Sequence, residues 1–409
     1  MESGNQKADS WKPINTWLFL AGQGLSMFGS LIAQYAVTWH MTLKTQSGTV
    51  MTLFAVAGVL PMFFISPFGG AWADRYNKKL LINIADASIA LFTLFMALLL
   101  TTGIDSIWPL LACAFVRSVG QGAQTPAVSS LIPELVPEEH LSRVNGLNSS
   151  IQSLCMFLAP MASGALLSVA PVQSILLIDV ATAAIGISIV FFLVHVPQRK
   201  KSEQAKTGTG YFKDIKDGIL YVAKQPFIRR VLLVSAIFGF MASPLTMLTP
   251  IQTTRNFGLD VWRLPVIELA FSLGMMGGGI IITAWGGFKN KAFTITLATA
   301  ICGLISVALG LASNFWVYLS FMAICGISFP FFNTPLMTIF QTKVDPDYMG
   351  RVFSVLTMSG SVMMPLGMAV FGPLADVVSI DILLVITGIV VFLSSFLIIG
   401  SKAMREAGI

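Results

Sequence analysis

Apolar residues run along this chain in stretches of 20 to 28, each closed by charged, Gly or Pro positions. Twelve can be counted, at 16–43, 48–72, 80–102, 108–132, 144–169, 172–195, 228–253, 263–286, 292–311, 315–340, 352–377 and 381–401. An α-helix rises about 1.5 Å per residue and the hydrocarbon core is about 30 Å thick, so about 20 apolar residues make one crossing. The pattern predicts an all-α membrane protein with twelve transmembrane helices. Polar segments 1–15 and 402–409 flank them, and no connection is long enough for a soluble domain. The longest, 196–227, opens with Arg199, Lys200 and Lys201, and then places Phe212, Ile215, Ile219 and Val222 at helical spacing between Lys and Asp. That spacing predicts an amphipathic helix on the membrane surface, joining a bundle over 16–195 to a second over 228–401.

Composition agrees with the pattern and narrows the classes. The chain has 409 residues, 55% hydrophobic and 11% charged, against about 25% charged in soluble domains. Disorder, nucleic-acid binding and a cytosolic enzyme are excluded. Cys113, Cys155, Cys302 and Cys325 each lie in an apolar stretch without a neighbouring His, which fits neither a disulfide framework nor a metal site. Residues 1–15 are polar and the run from Trp17 is too long for a signal peptide, so no cleavable leader is expected. The net charge of +6 matters through its placement: 21 of the 25 basic residues fall at the termini, in alternate connections or, as Arg229 and Arg230, at the very start of the seventh span. The positive-inside rule then puts both termini in the cytoplasm, and the expected location is the plasma membrane.

The chain also repeats itself. Pro126–Pro137 aligns with Pro335–Pro346 at an offset of 209, each segment ending on Pro followed by an acid, Glu138 or Asp347. Gly69-Gly70 aligns with Gly278-Gly279 at the same offset, while Arg143-Val144 with Arg351-Val352 and Gly164 with Gly372 align at 208. Four matches in order predict two six-helix bundles in parallel orientation. Parallel six-span repeats are one plan of secondary transporters, with the substrate site near the midplane.

After the second span comes Gly70-Ala-Trp-Ala-Asp74-Arg75-Tyr-Asn-Lys78-Lys79. It resembles the loop signature of the major facilitator superfamily, Gly-x-x-x-Asp-Arg-x-Gly-Arg-Lys. Asn77 stands where the family has its second Gly, and is expected to be tolerated because Asn also accepts left-handed dihedrals. The resemblance implies a cytoplasmic gate made by Gly70, Asp74, Arg75 and Lys79, with Asp74 near the start of the eleventh helix. The corresponding loop in the second half, Trp285-Gly-Gly-Phe-Lys289-Asn-Lys291, has no Asp. Phe115-Val-Arg117-Ser-Val-Gly-Gln121-Gly122 is similar to the family's Arg-x-x-Gln-Gly element, with one extra residue. Together with Leu135–Glu139, Ile178–Val180, Glu268–Gly274 and Gly350–Ser354, it resembles the macrolide-efflux branch of drug:proton antiporters.

A charge at the midplane costs about 2.5–3.5 kcal/mol on insertion scales. Asp86, Arg117, Asp179, Glu268 and, nearer an end, Asp376 are the ionisable residues that need such an explanation. Arg117 and Asp179 lie at similar depth, so pairing is geometrically allowed. Arg117 with Asp179 or Glu268 forms the expected proton-coupling set; structural ion pairs or helix contacts are the alternative reading of each. Asp86 is expected to contact the 73–79 loop, and Asp376 to be an exposed end.

Gln23, Met27, Ser30 and Gln34 share one face of the first helix, Gln121 and Gln124 continue a polar stripe from Arg117, and Thr246 lies on the seventh helix beyond Pro244. These residues are the expected substrate cavity. Amides, hydroxyls and Met suit a bulky amphipathic ligand better than a sugar or an anion. The chain has no P-loop, His-Glu-x-x-His or paired nucleophile and base, so neither an ATP-driven pump nor an enzyme is expected. The expectation is a carrier, not an enzyme, exporting macrolide-like compounds by alternating access in exchange for protons. It would need no cofactor or metal, with the proton gradient as its energy source. Its partners would be lipid, protons and a hydrophobic small molecule, never nucleic acid, and its expected state is a monomer. The alternatives are an exporter of a siderophore or other metabolite, and a non-transporting sensor or partner subunit of an ATPase.

Overall fold

The computed structural model describes residues 13–103, 106–196, 225–344 and 348–399. Its elements among these are helices, and they fall into two compact units. Unit 1 comprises Met1–Lys44 and Leu53–Glu203, and unit 2 comprises Thr45–Thr52 and Gln204–Ile409. The amphipathic segment predicted over 211–224 lies outside the described residues.

The first half contributes α1 (Pro13–Thr45), α2 (Gly48–Arg75), α3 (Lys78–Thr101), α4 (Ile107–Leu135), α5 (Glu138–Val169) and α6 (Val172–Ser188). α6 continues into a π-helical turn, Ile189–Leu193. Proline lies inside several of these helices: Pro61 and Pro67 in α2, Pro126 and Pro133 in α4, Pro160 in α5. Such prolines persist within the bilayer because neighbouring helices and local adjustments satisfy the freed carbonyls. Within unit 1, α3 packs on both α4 and α6. Phe19, Ile82, Ala127, Leu131 and Val190 form one buried cluster there. Outward-facing positions such as Phe64, Leu91 and Phe95 stay exposed, as expected where lipid is the solvent.

The second half contributes α7 (Pro226–Met241), α8 (Ser243–Met247), α9 (Thr249–Phe257), α10 (Arg263–Trp285), α11 (Lys291–Leu311), α12 (Phe315–Lys343), α13 (Met349–Leu374) and α14 (Ile380–Ile399). The predicted seventh span, 228–253, is therefore three short helices. Pro244 and Pro250 each stand at the start of a new piece, where a missing N–H leaves no bond unmade. The joins stay wound, since Leu248 N–H donates to Pro244 O at 2.9 Å and Gln252 N–H to Leu248 O at 2.9 Å. Within unit 2, α11 packs on α12 and α14. The third span thus meets the fourth and sixth, and the ninth meets the tenth and twelfth. That is the pattern a parallel six-helix repeat requires.

Glycine pairs carry the repeat into atomic detail. A methyl group on Gly69 in α2 would overlap the α4 backbone at Gly122 and Ala123, and one on Gly278 in α10 would overlap Ile327 in α12. Nine helices among the described residues are long and apolar enough to cross a membrane. The remaining predicted spans are α4, which carries a polar stripe, the broken seventh, and α13, whose apolar part is shorter.

Candidate functional site

Inside unit 1, α4 positions Arg117 nine-tenths buried, and α6 positions Asp179 fully buried. One guanidinium nitrogen of Arg117 donates to Asp179 Oδ2 and also to Thr93 Oγ1 at 2.7 Å. The other donates to the Ser30 carbonyl at 2.9 Å, while Ser30 Oγ donates to Asp179 Oδ1 at 2.9 Å. Four helices, α1, α3, α4 and α6, therefore meet at one ion pair. Gly29 lets α1 approach, because a Cβ there would overlap the Thr182 side chain beside Asp179. Each charge has its opposite, and Thr93, the Ser30 carbonyl and the Ser30 hydroxyl add hydrogen bonds to the two charged groups, which is what a charge pair needs inside a membrane.

Asp86 on α3 has a different environment. It is only 4% exposed. Gln124 Nε2 donates to its Oδ1 at 2.6 Å and Gln23 Nε2 to its Oδ2 at 3.3 Å. Gln124 Nε2 also reaches Gln23 Oε1 at 3.2 Å. This corrects the expectation of a contact with the 73–79 loop: the carboxylate turns into the bundle towards α1 and α4. Depth along a helix was legible in the sequence, but the direction in which the side chain leaves it was not. Asn83, one turn away on the same helix, is buried with both side-chain polar atoms unpaired among the described residues.

The residues of the predicted gate divide into two groups. Asp74 and Arg75 are exposed at the end of α2, and Gly70 has open space around its Cα. Lys79 Nζ instead donates to the Phe191 and Val194 carbonyls at 2.7 and 2.8 Å, closing the C-terminal end of the sixth span, and burial lowers its pKa. Lys78 pairs with Glu134 at 2.7 Å. Asn77 is not left-handed. Its φ is −67° and its side chain accepts from Leu80 N–H, so it stands there as the N-cap of α3. Asn290 caps α11 in the same way, accepting from Ala292 N–H after two left-handed glycines, Gly286 and Gly287. The second loop has lost its acid but kept its cap. An Asn just before the Lys that opens a helix was the signal for both.

The other candidates are less gathered. Gln23, Ser30 and Gln124 belong to the two clusters above, with Met27 and Gln121 half-buried on the same helices and Gln34 exposed. Thr246 lies in unit 2 and its hydroxyl donates to Ala242 O and Ser243 O of its own helical run. Glu268, five residues into α10, is half-buried with no hydrogen-bond or ion-pair partner among the described residues. Sequence reading missed one further network in unit 2. Tyr318 OH donates to Gln252 Oε1 at 2.9 Å, and Gln252 and Asn256 both donate to Asp381 Oδ1 at 2.8 Å.

Comparison with known proteins adds independent evidence. The model of the family described as Major Facilitator Superfamily matches residues 18–368. Macrolide efflux protein A of Streptococcus pyogenes is 28% identical over 92% of this chain and 93% of its own. The Staphyloferrin A transporter of Staphylococcus aureus is 23% identical over 89% of this chain and 90% of its own. Among solved structures, a bacterial homolog to the human lysosomal transporter Spinster superposes with a TM-score of 0.68 at 16% identity, covering 97% of both chains.

Proposed function

The chain belongs to the major facilitator superfamily, and from that premise we propose a secondary active exporter of hydrophobic or amphipathic compounds, macrolide-like drugs among them. Export runs by proton antiport with alternating access, in the plasma membrane and with both termini cytoplasmic. The observation that carries the export reading is the similarity to Macrolide efflux protein A, spread over 92% of the chain. Support for proton coupling comes from the acids inside the helical units, since a carboxyl away from water is where protonation changes binding energy most. Arg117 with Asp179 or Glu268 is the set proposed from the sequence to link protonation to helix movement, and Gly70, Asp74, Arg75 and Lys79 the proposed gate. The Arg117–Asp179 pair holds four helices to one point, so separating it would be felt across the unit.

The test is uptake of radiolabelled erythromycin into everted vesicles carrying this chain, energised by an imposed pH gradient. Accumulation that a protonophore collapses is expected, and accumulation indifferent to the protonophore would remove antiport. The similarity to the Staphyloferrin A transporter favours a second reading, export of a siderophore. A ferric siderophore run beside erythromycin in the same vesicles separates the two. Because the vesicles contain this chain without an added ATPase, transport there would also dispose of a role limited to a partner subunit.

A further inference from the structure

Within unit 1, Asp179 has a guanidinium and a hydroxyl bound to its two oxygens, while Asp86 has only neutral donors, the Gln23 and Gln124 amides and the Ser26 hydroxyl. We propose that Asp86, held between Gln23 and Gln124, is the carboxyl that takes up and gives back the counter-transported proton in each cycle. The inference rests on the antiport reading above and assigns it a residue. An ionised carboxylate taken out of water loses several kcal/mol of solvation unless a cation or a full set of donors replaces the water. Gln124 at 2.6 Å and Gln23 at 3.3 Å supply a partial set. Protonation removes the charge, and the amides can adapt because each presents both a donor and an acceptor. Gln23 can turn its Oε1 towards a protonated Asp86, giving up the contact it now receives from Gln124. The cluster therefore has satisfied arrangements in both charge states, which the Arg117–Asp179 pair lacks. Neutralising Asp179 would leave Arg117 as an uncompensated buried charge.

The charged and titratable neighbours support the same assignment. On α4, Arg117 is consumed by Asp179, and Glu134 by Lys78 at 2.7 Å. On α6, Asp179 is consumed by Arg117. Cys113 on α4 is a buried thiol. On α3 itself, Lys79 is bound to the carbonyls of Phe191 and Val194. The α1 groups, Tyr35, His40 and Lys44, lie twelve or more residues along that helix from Gln23, about 18 Å at 1.5 Å per residue. Asn83, buried with both side-chain polar atoms unpaired among the described residues, lies one turn from Asp86 on α3. The step is a proton transfer only: water on the outer side delivers H⁺ to an Asp86 oxygen, and the O–H bond breaks to cytoplasmic water when cargo binds.

The experiment uses the full chain reconstituted in liposomes, with erythromycin as probe and two readouts. One is accumulation driven by a pH gradient; the other is erythromycin exchange at equilibrium, with no gradient. Asp86→Asn should lose gradient-driven accumulation by about tenfold or more and keep equilibrium exchange. Asp86→Glu should restore accumulation in part. Gln124→Leu, which removes a donor to the ionised form, should move the pH midpoint of erythromycin-driven proton release upward. Asp86→Asn protein that is monodisperse, exchanges erythromycin and still accumulates it to the wild-type level would overturn the proposal. So would loss of both readouts in Asp86→Asn and Asp86→Glu alike with Gln124→Leu unchanged from wild type, since that pattern marks a structural acid. Wild-type accumulation that survives a protonophore would instead fell antiport itself, a result distinguishable from the others because it appears before any substitution.

Discussion

At the scale of the residue, the Arg117–Asp179 pair ties four helices of unit 1 to one point. Removing one member of a buried pair leaves the other charged and without its partner, a loss of about 3–5 kcal/mol in comparable sites. Arg117→Ala should therefore lower the thermal unfolding temperature in detergent sharply. Arg117→Ala with Asp179→Ala should recover much of it, because both charges leave together. If the pair also takes part in the transport cycle, efflux stays low in the stable double variant; full efflux there would reduce the pair to scaffold. Arg117→Lys keeps the charge but cannot reach Asp179, Thr93 and the Ser30 carbonyl at once, so an intermediate loss is expected. The pairing was legible in the sequence because both residues lie at similar depth and neither is tolerable alone. Asp86 was not, since its contacts depend on which way α3 faces, and a helix with apolar residues on most sides gives little sign of that.

At the scale of the element, helix positions followed from the apolar pattern except in the broken seventh span, and the caps did not. Asn77 reads as a stand-in for glycine when only the loop signature is considered, yet it stands at an N-cap, as does Asn290. The start of α2 carries a longer-range version of the same device. Gly48 N–H donates to Asp376 Oδ1 at 2.6 Å, Thr49 N–H to Oδ2 at 3.0 Å and Ser47 Oγ to Oδ2 at 2.9 Å. An acid predicted to be a plain exposed end, just past the close of α13, thus caps a helix more than three hundred residues earlier in the chain. Partial burial pushes its pKa up, but the donors from Thr49, Gly48 and Ser47 outweigh it and hold Asp376 below the usual carboxylate range. A depressed carboxylate stabilises the fold above its unfolded value, about 3.9, and loses that contribution as pH falls through the folded value. Asp376→Asn should therefore be less stable than wild type at neutral pH, by about 0.3–1 kcal/mol for the negative charge lost from a helix N-terminus. The gap in unfolding temperature should narrow once pH drops below about 4. A gap that stays constant down to that pH would mean the carboxylate charge is irrelevant there.

At the scale of the whole molecule, the internal offset of about 209 residues makes a claim about topology that no single helix can make. A parallel repeat puts the connection after the second span and the one after the eighth on the same side of the membrane; an inverted repeat would separate them. By the positive-inside rule, Arg75, Lys78, Lys79, Lys289 and Lys291 predict that both connections lie in the cytoplasm. The four native cysteines are all buried and free, so single introduced cysteines can report position over a low background. Arg75→Cys and Lys289→Cys, both at exposed positions, should react with a membrane-impermeant maleimide only after the cells are permeabilised. Leu259→Cys, 56% exposed between the seventh and eighth spans, should react in intact cells. Opposite labelling of Arg75→Cys and Lys289→Cys would contradict the parallel repeat. Reversal of all three would keep the repeat and invert the protein, placing its termini outside and turning the predicted direction of export around.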